Sequence, residues 1–308
     1  MALTKSDIPE LMLAGLKTEF DLAYRSQLDN SLAAAIATTV NTTVPVQNYA
    51  WLSFPPPMRE FIDERRPSGL KSYSLSIEDK VFESTLAIDR RAIEDDQLDL
   101  IRFRIKDLAQ RVVQHRHQIL VEKLLSGRTA PGPDGQAMFG EHTVGSQTQE
   151  NSLTDSLNTE TLRTAISTMM AFQDESDTPL GVMPDTLLVG PANYWTALEL
   201  VESQIVVAKS AASAGTPYKN VLQGRLNVVV SPFISGNNSD LWFLMDTSRP
   251  VRSLILQQRS DVPVEFTALD SNSGSESAFI RDRYYYGVRG RYNVGFGLWQ
   301  FAFAGGNA

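Results

Sequence analysis

The stretch QLDLIRFRIKDLAQRVVQHRHQILVEKLLS, residues 97–126, decides the fold of this chain. One set of its residues recurs at intervals of three and four, the spacing of one face of an α-helix. That set is Leu98, Ile101, Ile105, Leu108, Val112, His115 and Ile119. Glu94-Asp95-Asp96 lie just before the run, where a helix dipole favours negative charge, and Gly127 is a typical helix-ending residue. The sequence therefore predicts one helix over 97–126, roughly 45 Å long, which sets the size of its domain.

Two β-type segments precede that helix. Residues 73–77 (YSLSI) and 81–88 (VFESTLAI) alternate as strands do, and Glu78-Asp79-Lys80 join them, so the sequence predicts a charged β-hairpin. The surrounding residues 59–107 hold 10 basic and 12 acidic residues, more than twice the chain's mean charge density. The pattern is typical of a solvated β-appendage or, alternatively, of a projecting loop that makes charge-complementary contacts with neighbouring subunits.

The first part of the chain also has helical spacing. Apolar residues from Ile8 to Ala23 predict an amphipathic helix, and the pattern leaves open whether it docks on another molecule or packs on its own domain. Residues 30–58 carry no charge, but they are rich in Thr, Asn, Gln and Pro, which excludes a membrane span. We interpret them as an extended arm in which Val40, Val44 and Val46 are β-type residues.

The second half of the chain mixes helices and strands. Helices are predicted near residues 159–173 and 192–204, and strands at 186–189, 226–230, 241–245, 252–258 and 262–268. Near the C-terminus, apolar and aromatic residues fall on even positions from Ile280 to Leu298. Arg281, Arg283, Arg289 and Arg291 fall on odd ones, so one face of a β-ribbon carries four arginines. Such a face can bind nucleic acid or form salt bridges with acidic neighbours. The negative net charge of the chain favours the salt bridges.

Composition and motifs argue against most classes of catalytic and metal-binding site. With no cysteine, thiolate nucleophiles, disulfides and Cys-ligated zinc are excluded. His115 and His117 lie two residues apart on a helix and cannot bind one metal ion, and the acids at 94–96 with Asp99 lack calcium-loop spacing and fit helix capping instead. No phosphate-binding or nucleophile-elbow motif occurs, so we predict no cofactor, no metal and no catalytic residue, with an accidental carboxylate pair left open. The net charge of −8 argues against a dedicated binder of nucleic-acid backbones.

The order of these parts resembles the Hong Kong 97-type fold of the major capsid proteins of tailed bacteriophages. Local motifs resemble more narrowly the major head subunit of Mu-like phages. They include KVFESTLAIDR (80–90), DGQAMFGEH (134–142) and YYYGVRGRYNVGFGLWQ (284–300).

The resemblance implies an α+β fold of five parts. These are an N-terminal arm (1–47), an extended β-hairpin loop (48–93), a peripheral domain (94–154) that holds the long spine helix (97–126), an α/β axial domain (155–275) and a peripheral-domain β-ribbon with the C-terminus (276–308). It also implies a structural protein, not an enzyme, that self-assembles as hexamers and pentamers into an icosahedral shell around double-stranded DNA, without sequence-specific binding. The alternatives are the shell of an encapsulin-like compartment and, less favoured, a cytosolic carboxylate- or metal-dependent hydrolase.

Partners and location follow from the same resemblance. It implies scaffold or protease and portal proteins during assembly, a decoration protein, no membrane, assembly in the host cytoplasm and a final place in the virion. Some shells of this fold carry a crosslink between a loop lysine and an asparagine; nothing marks Lys71 or Lys80 as reactive, and we expect none. The assembly-interface candidates are Trp51, Phe54, Arg59, Glu60, Asp63, Glu64, Arg65, Arg66, Arg90 and Arg91.

Overall fold

The computed structural model describes most of the chain. Its described residues are 8–28, 31–49, 58, 75–89, 91, 98–145, 147–175, 177–207, 217–261, 264–269 and 283–307. The α-helices are α1 (Ile8–Leu28), α2 (Leu32–Ile36), α3 (Leu98–Leu125), α4 (Thr159–Met170) and α5 (Tyr194–Glu202). The strands are β1 (Ala37–Thr42), β2 (Val46–Asn48), β3 (Ser76–Glu78), β4 (Lys80–Asp89), β5 (Glu141–Val144), β6 (Gln147–Glu150), β7 (Thr186–Val189), β8 (Ile205–Val207), β9 (Pro217–Lys219), β10 (Asn227–Val230), β11 (Trp242–Met245), β12 (Leu254–Arg259), β13 (Glu265–Leu269), β14 (Arg283–Phe296) and β15 (Ala302–Gly305). Short 3₁₀ helices lie at Ser126–Arg128, Pro191–Asn193, Gly236–Asn238 and Trp299–Phe301.

The long helix is confirmed within one residue at each end. Ile105 and Leu108, in the first half of α3, belong to a smaller core with α1, β4, β13 and β14. Leu120 and Leu124, in the second half, belong to a larger core with β7, β11 and β15. One straight element therefore joins two hydrophobic cores, because its apolar face is continuous from Ile101 to Leu124.

Helix α1 packs on its own chain. Leu16 and Phe20 are buried in the smaller core, and the Phe20 ring lies 5.3 Å from that of Phe266 in β13. Lys106 of α3 holds Glu19 at 3.0 Å on the rim of this contact. Of the two interpretations left open by the sequence, packing within the domain is therefore the correct one for this part of the helix.

The uncharged stretch that follows α1 has the β character predicted for it. Strand β1, which contains Val40, pairs in parallel with β12 from Ala37 opposite Leu254 to Thr42 opposite Arg259. Val46 begins β2, whereas Val44 lies in the turn between the two strands. Residues 37–42 are thus an integral strand of the chain's own five-stranded sheet.

The predicted hairpin is wrong in its pairing, although both of its strands exist. Strand β3 pairs with β2, and β4 pairs with β14 over ten residues. Only Asp79 separates β3 from β4, and even the tightest hairpin loops need two residues. The backbone N–H of Asp79 donates to the carbonyl of Pro45, so the chain runs on from one pairing to the next without reversing.

Strand β14 is the centre of the five-stranded sheet, which also contains β1, β4, β12 and β13. Tyr292 pairs with Lys80 of β4 and with Gln258 of β12, so these two strands lie on opposite edges of β14. Tyr285–Arg289 pair with both β4 and β13, so β13 shares an edge with β12. The predicted alternation is confirmed for the side chains: the buried apolar and aromatic ones are Tyr286, Val288, Tyr292, Val294 and Phe296.

The second half of the chain forms a four-stranded sheet in the order β10-β7-β11-β15, with β7 and β11 buried at every position. The helices predicted beside it are confirmed as α4 and α5, slightly shorter than expected. The two later strand predictions are confirmed as β12 and β13. Both pair with β14 in the other sheet, although their residues fall inside the range predicted as axial.

Two glycines offer a matched test of this packing. A Cβ added at Gly297 would lie 2.1 Å from the carbonyl oxygen of Arg252, a backbone atom that cannot move aside freely, whereas one added at Gly15 on α1 meets nothing within 4 Å. We expect G297A to lower the free energy of unfolding by about 2 kcal/mol or more, and G15A to raise it by about 1 kcal/mol. Urea unfolding followed by circular dichroism measures both, and equal effects would contradict the packing.

Candidate assembly interface

Nearly all of the predicted interface residues lie outside the described part of the chain. This holds for Trp51, Phe54, Arg59, Glu60, Asp63, Glu64, Arg65, Arg66 and Arg90, and also for Lys71. Arg91 is described: it is exposed, and its backbone N–H donates to Asp89 Oδ1 at 3.1 Å. Lys80, the other lysine considered for crosslinking, is exposed at the start of β4.

Strand β4 presents an open edge next to these residues. Along its ten residues, one edge pairs with β14, and no other described strand pairs with the opposite edge. Its side chains are mostly exposed, and Lys80, Glu83 and Asp89 are charged. Unpaired N–H and C=O groups on an edge are a template for contact with another chain, and charged residues make that contact selective.

A row of alternating charges crosses the sheet beside this edge. Arg289 of β14 lies opposite Glu83 of β4 on one side and Glu265 of β13 on the other. Arg283 lies opposite Asp89 at the end of the same two strands. We call these five residues the charged sheet face. Cross-strand neighbours of opposite charge stabilise a sheet modestly and fix its register.

The neighbouring Arg291 shows the pairing most directly. Its Nε lies 2.7 Å from Oδ2 of Asp79, an ion pair whose angle is not that of a hydrogen bond. The interpretation that these arginines meet acidic neighbours is therefore supported at Arg291. At Arg283 and Arg289 the register sets a carboxylate opposite each arginine; Arg281 lies outside the described residues.

The three histidines have structural surroundings. His142 is completely buried, its ring stacks on Trp299 with 3.9 Å between centroids, and its Nδ1 lies 2.6 Å from Oδ2 of Asp134. The histidine of the DGQAMFGEH motif therefore joins the turn at 131–136, through Asp134, to the C-terminal segment, through Trp299. Among the described residues, no group of three or more His, Cys, Asp or Glu side chains could hold a metal ion.

His115 and His117 lie on α3 and face different neighbours, as their spacing predicted. Nδ1 of His115 lies 2.9 Å from the Tyr292 hydroxyl, while the His117 ring meets Phe233 edge-on at 5.4 Å. Burial lowers the pKa of both from its ordinary value of 6.5, and at His115 the charge of Glu122 opposes the effect. Both side chains are therefore easier to protonate in the unfolded chain than in the folded one.

One buried charged side chain was not predicted from the sequence. Arg116 is buried between the rings of Tyr24 and Tyr292, beside an open cleft. Arg116 lies four residues after Val112 and four before Leu120, which places it on the buried side of α3. This spacing is the sequence feature that could have predicted its burial. Separately, none of the helices in the described ranges is both long and apolar enough to cross a bilayer.

Comparison with known proteins identifies the family. The family model described as the Mu-like prophage major head subunit gpT matches residues 10–156, 146–234 and 234–308. The chain belongs to this family. The match covers the whole chain from residue 10 onward, including all of the motifs that carried the resemblance.

The chain has two relatives that agree with this assignment. It is 27% identical over 270 residues to the Mu-like prophage FluMu major head subunit of Haemophilus influenzae, covering 87% of this chain and 64% of that protein. It is 30% identical over 110 residues to the major capsid protein of Escherichia phage Mu, covering 35% of this chain and 36% of that one. The chain thus spans somewhat less than two thirds of the first relative's length.

A solved capsid structure is similar to this chain in fold. The procapsid of bacteriophage JBD30 matches 99% of this chain and 77% of its own chain, with a TM-score of 0.56 and 23% identity. The chain therefore has the predicted α+β, Hong Kong 97-type capsid fold.

The histidine surroundings predict a pH dependence. Below about pH 6.5 the unfolded chain binds protons that the folded His115 and His117 resist, so stability should fall as the pH drops from 7 toward 5. We expect the H115Q/H117Q variant to lose part of this slope, measured as the free energy of urea unfolding at each pH. A variant with the full wild-type slope between pH 7 and pH 5.5 would contradict the burial of these rings.

The charged sheet face gives a second prediction. R289E sets three carboxylates in a row, and each like-charged pair should cost about 0.5–1 kcal/mol of unfolding free energy. The triple variant R289E/E83R/E265R restores opposite charges and should recover most of the loss. Chemical denaturation of the unassembled chain checks this, and equal stability of R289E and wild type would show that the register does not bring these charges together.

Proposed function

We propose that the chain is a major capsid subunit that assembles with copies of itself, as hexamers and pentamers, into an icosahedral shell around double-stranded DNA. The observation that carries the proposal is the match to the Mu-like head subunit family over residues 10–308. The capsid fold shared with the JBD30 procapsid supports it.

The described surface suits a shell subunit. The open edge of β4 offers backbone groups to another copy, and the charged sheet face offers both signs of charge within a few residues. Charges arranged in this way set orientation and partner choice more than raw affinity. Because a closed shell repeats each contact many times, individually weak contacts sum to a stable particle.

The net charge of −8 suits a container for DNA. A strongly basic inner surface would hold the phosphates tightly, and that attraction would hinder both packing and release. We propose that the chain encloses DNA without reading its sequence and that it acts as a structural protein, not as an enzyme.

We further propose which parts of the fold correspond to the domains of a capsid subunit. The five-stranded sheet with α3 corresponds to the peripheral domain and the four-stranded sheet to the axial domain. Residues 1–47 correspond to the arm and 48–93 to the extended loop, and each contributes one strand, β1 and β4, to the five-stranded sheet. The loop would carry the assembly contacts of the ten predicted interface residues. Scaffold or protease, portal and decoration proteins remain predicted partners, with assembly in the host cytoplasm and a final place in the virion. The family match favours a phage head over an encapsulin-like compartment or a hydrolase.

Charge reversal in the loop tests the interface. R65E/R66E should leave the subunit folded but prevent shell formation, because the loop would meet its neighbours with the wrong sign of charge. Size-exclusion chromatography with negative-stain microscopy measures particle yield. R102E/R104E is the matched control: it makes the same change in net charge on exposed positions of α3 and should still assemble.

Normal-sized particles from R65E/R66E would refute the interface assignment. Loss of particles from both variants would trace the effect to overall charge and not to the loop. A wild-type chain that forms no particles under any assembly condition would refute the proposed function itself.

A further inference from the structure

A cleft of about 710 Å³ opens on the edge of β14. It lies at the gap along this edge between the residues of β14 that pair with β12 and those that pair with β13. Gln258 of β12 pairs with Tyr292, and Glu265 of β13 pairs with Arg289. Gly290 and Arg291, between these pairs, have no strand partner on that side among the described residues. Helix α1 forms the opposite wall, and Arg116 of α3 lines the cleft as well.

Among the residues that the structure describes, Arg116 carries a charge that has no counter-charge beside it. The residue is only 5% exposed, and its Nε has no hydrogen-bond partner. Among the described residues, no carboxylate oxygen lies within 4.0 Å of it, in contrast to Arg259 and Arg291, which both form ion pairs. A buried guanidinium without a counter-charge is costly, since several kilocalories per mole of hydration are lost on burial.

Two aromatic rings frame this guanidinium. Its central carbon lies 5.6 Å from the ring centroid of Tyr24 and 4.8 Å from that of Tyr292. Burial raises the pKa of Tyr292 to about 12, although the charge of Arg116 and its hydrogen bond to the Tyr292 hydroxyl act in the opposite direction. The hydroxyl therefore stays neutral and supplies no anion. The rings hold the guanidinium in place, and a planar carboxylate is the group that matches its fork of donors.

The rest of the cleft selects against a long polyanion. Lys17 and Arg25 are exposed on α1, but Asp21, Asp261 and Glu265 line the same cleft. Asp261 is already engaged by both nitrogens of the Arg259 fork. A phosphate backbone would bring several charges near these carboxylates, whereas one carboxylate side chain can reach Arg116 and avoid them.

We infer that this cleft binds an Asp or Glu side chain of a second copy of the chain, with Arg116 as its counter-charge. The inference rests on the proposed function, which supplies neighbouring copies at high local concentration. Charge complementarity supports it. The chain has 36 acidic residues against 28 basic ones, so each neighbouring copy carries more carboxylates than its own basic side chains can pair, and Arg116 can pair with one of them.

Crosslinking at this position tests the inference directly. R116K keeps a positive charge and adds an amine that a water-soluble carbodiimide joins, as an amide, to a carboxylate in contact with it. Particles assembled from a mixture of ¹⁴N- and ¹⁵N-labelled R116K chains, without DNA, should give mixed-label crosslinked peptides at position 116 by mass spectrometry. Crosslinks at 116 only within one copy, or none there while other lysines react, would overturn the inference.

R116M supplies an independent measurement. It removes the unpaired charge and keeps an apolar stem, so the unfolding free energy of the unassembled chain should stay equal or rise. The protein concentration needed for assembly should rise about tenfold, since a buried charge on the other copy loses its partner. R102M, which removes one exposed charge from the same helix, should assemble like wild type. If R116M does not fold, the crosslinks of R116K decide alone.

The outcomes separate the two proposals. If wild type and R116M form particles at the same concentration, the inference is wrong and the proposed function stands. An effect of R116M that appears only when DNA is present would assign the site to phosphate and would also overturn the inference. If wild type forms no particles, the proposed function fails, and the inference fails with it.

Discussion

The antiparallel pairing of β14 with three other strands is the interaction on which the rest of the structure depends. One edge of this strand is filled by β4, and the other is shared in succession by β13 and β12. The register of these pairs decides which residues face the smaller core and which form the charged sheet face. It also leaves the gap at Gly290 and Arg291 where the Arg116 cleft opens. A shift of one residue would exchange the two faces of the strand.

The fold also depends on α3, since the helix contributes to both hydrophobic cores. Its earlier residues pack with β4, β13 and β14, and its later residues pack with β7, β11 and β15. This arrangement leaves the outer edge of β4 and the arginine-bearing side of β14 open to other molecules. Among the described residues, the free edge of β4 presents backbone groups and exposed charged side chains, and single apolar side chains such as Phe103 and Trp195 are exposed elsewhere.

Much of this fold could be predicted from local patterns, because periodicity reports directly which face of an element is buried. The ends of α3 and the burial of alternate residues in β14 follow from such patterns. The partner of a strand does not, since alternation near Val81 and Ile88 is equally compatible with β3 or β14. Arg116 was missed for a related reason: a charged residue on a helix is expected in solvent, and only its spacing from Val112 and Leu120 indicated burial. Within the predicted interface, Arg91 is the residue that the structure describes, so the loop assignment still rests on sequence.

The absence of cysteine and the scarcity of histidine agree with this view of the molecule. His142 packs against Trp299, His115 meets the Tyr292 hydroxyl, and His117 contacts Phe233, so each has structural surroundings. Sedimentation velocity of the purified wild-type chain over a range of concentrations is the most direct test of the proposed self-assembly. A self-assembling chain should show a cooperative step from monomers or capsomers to closed particles of megadalton mass. A single species of about 34 kDa at every concentration and salt condition would contradict it.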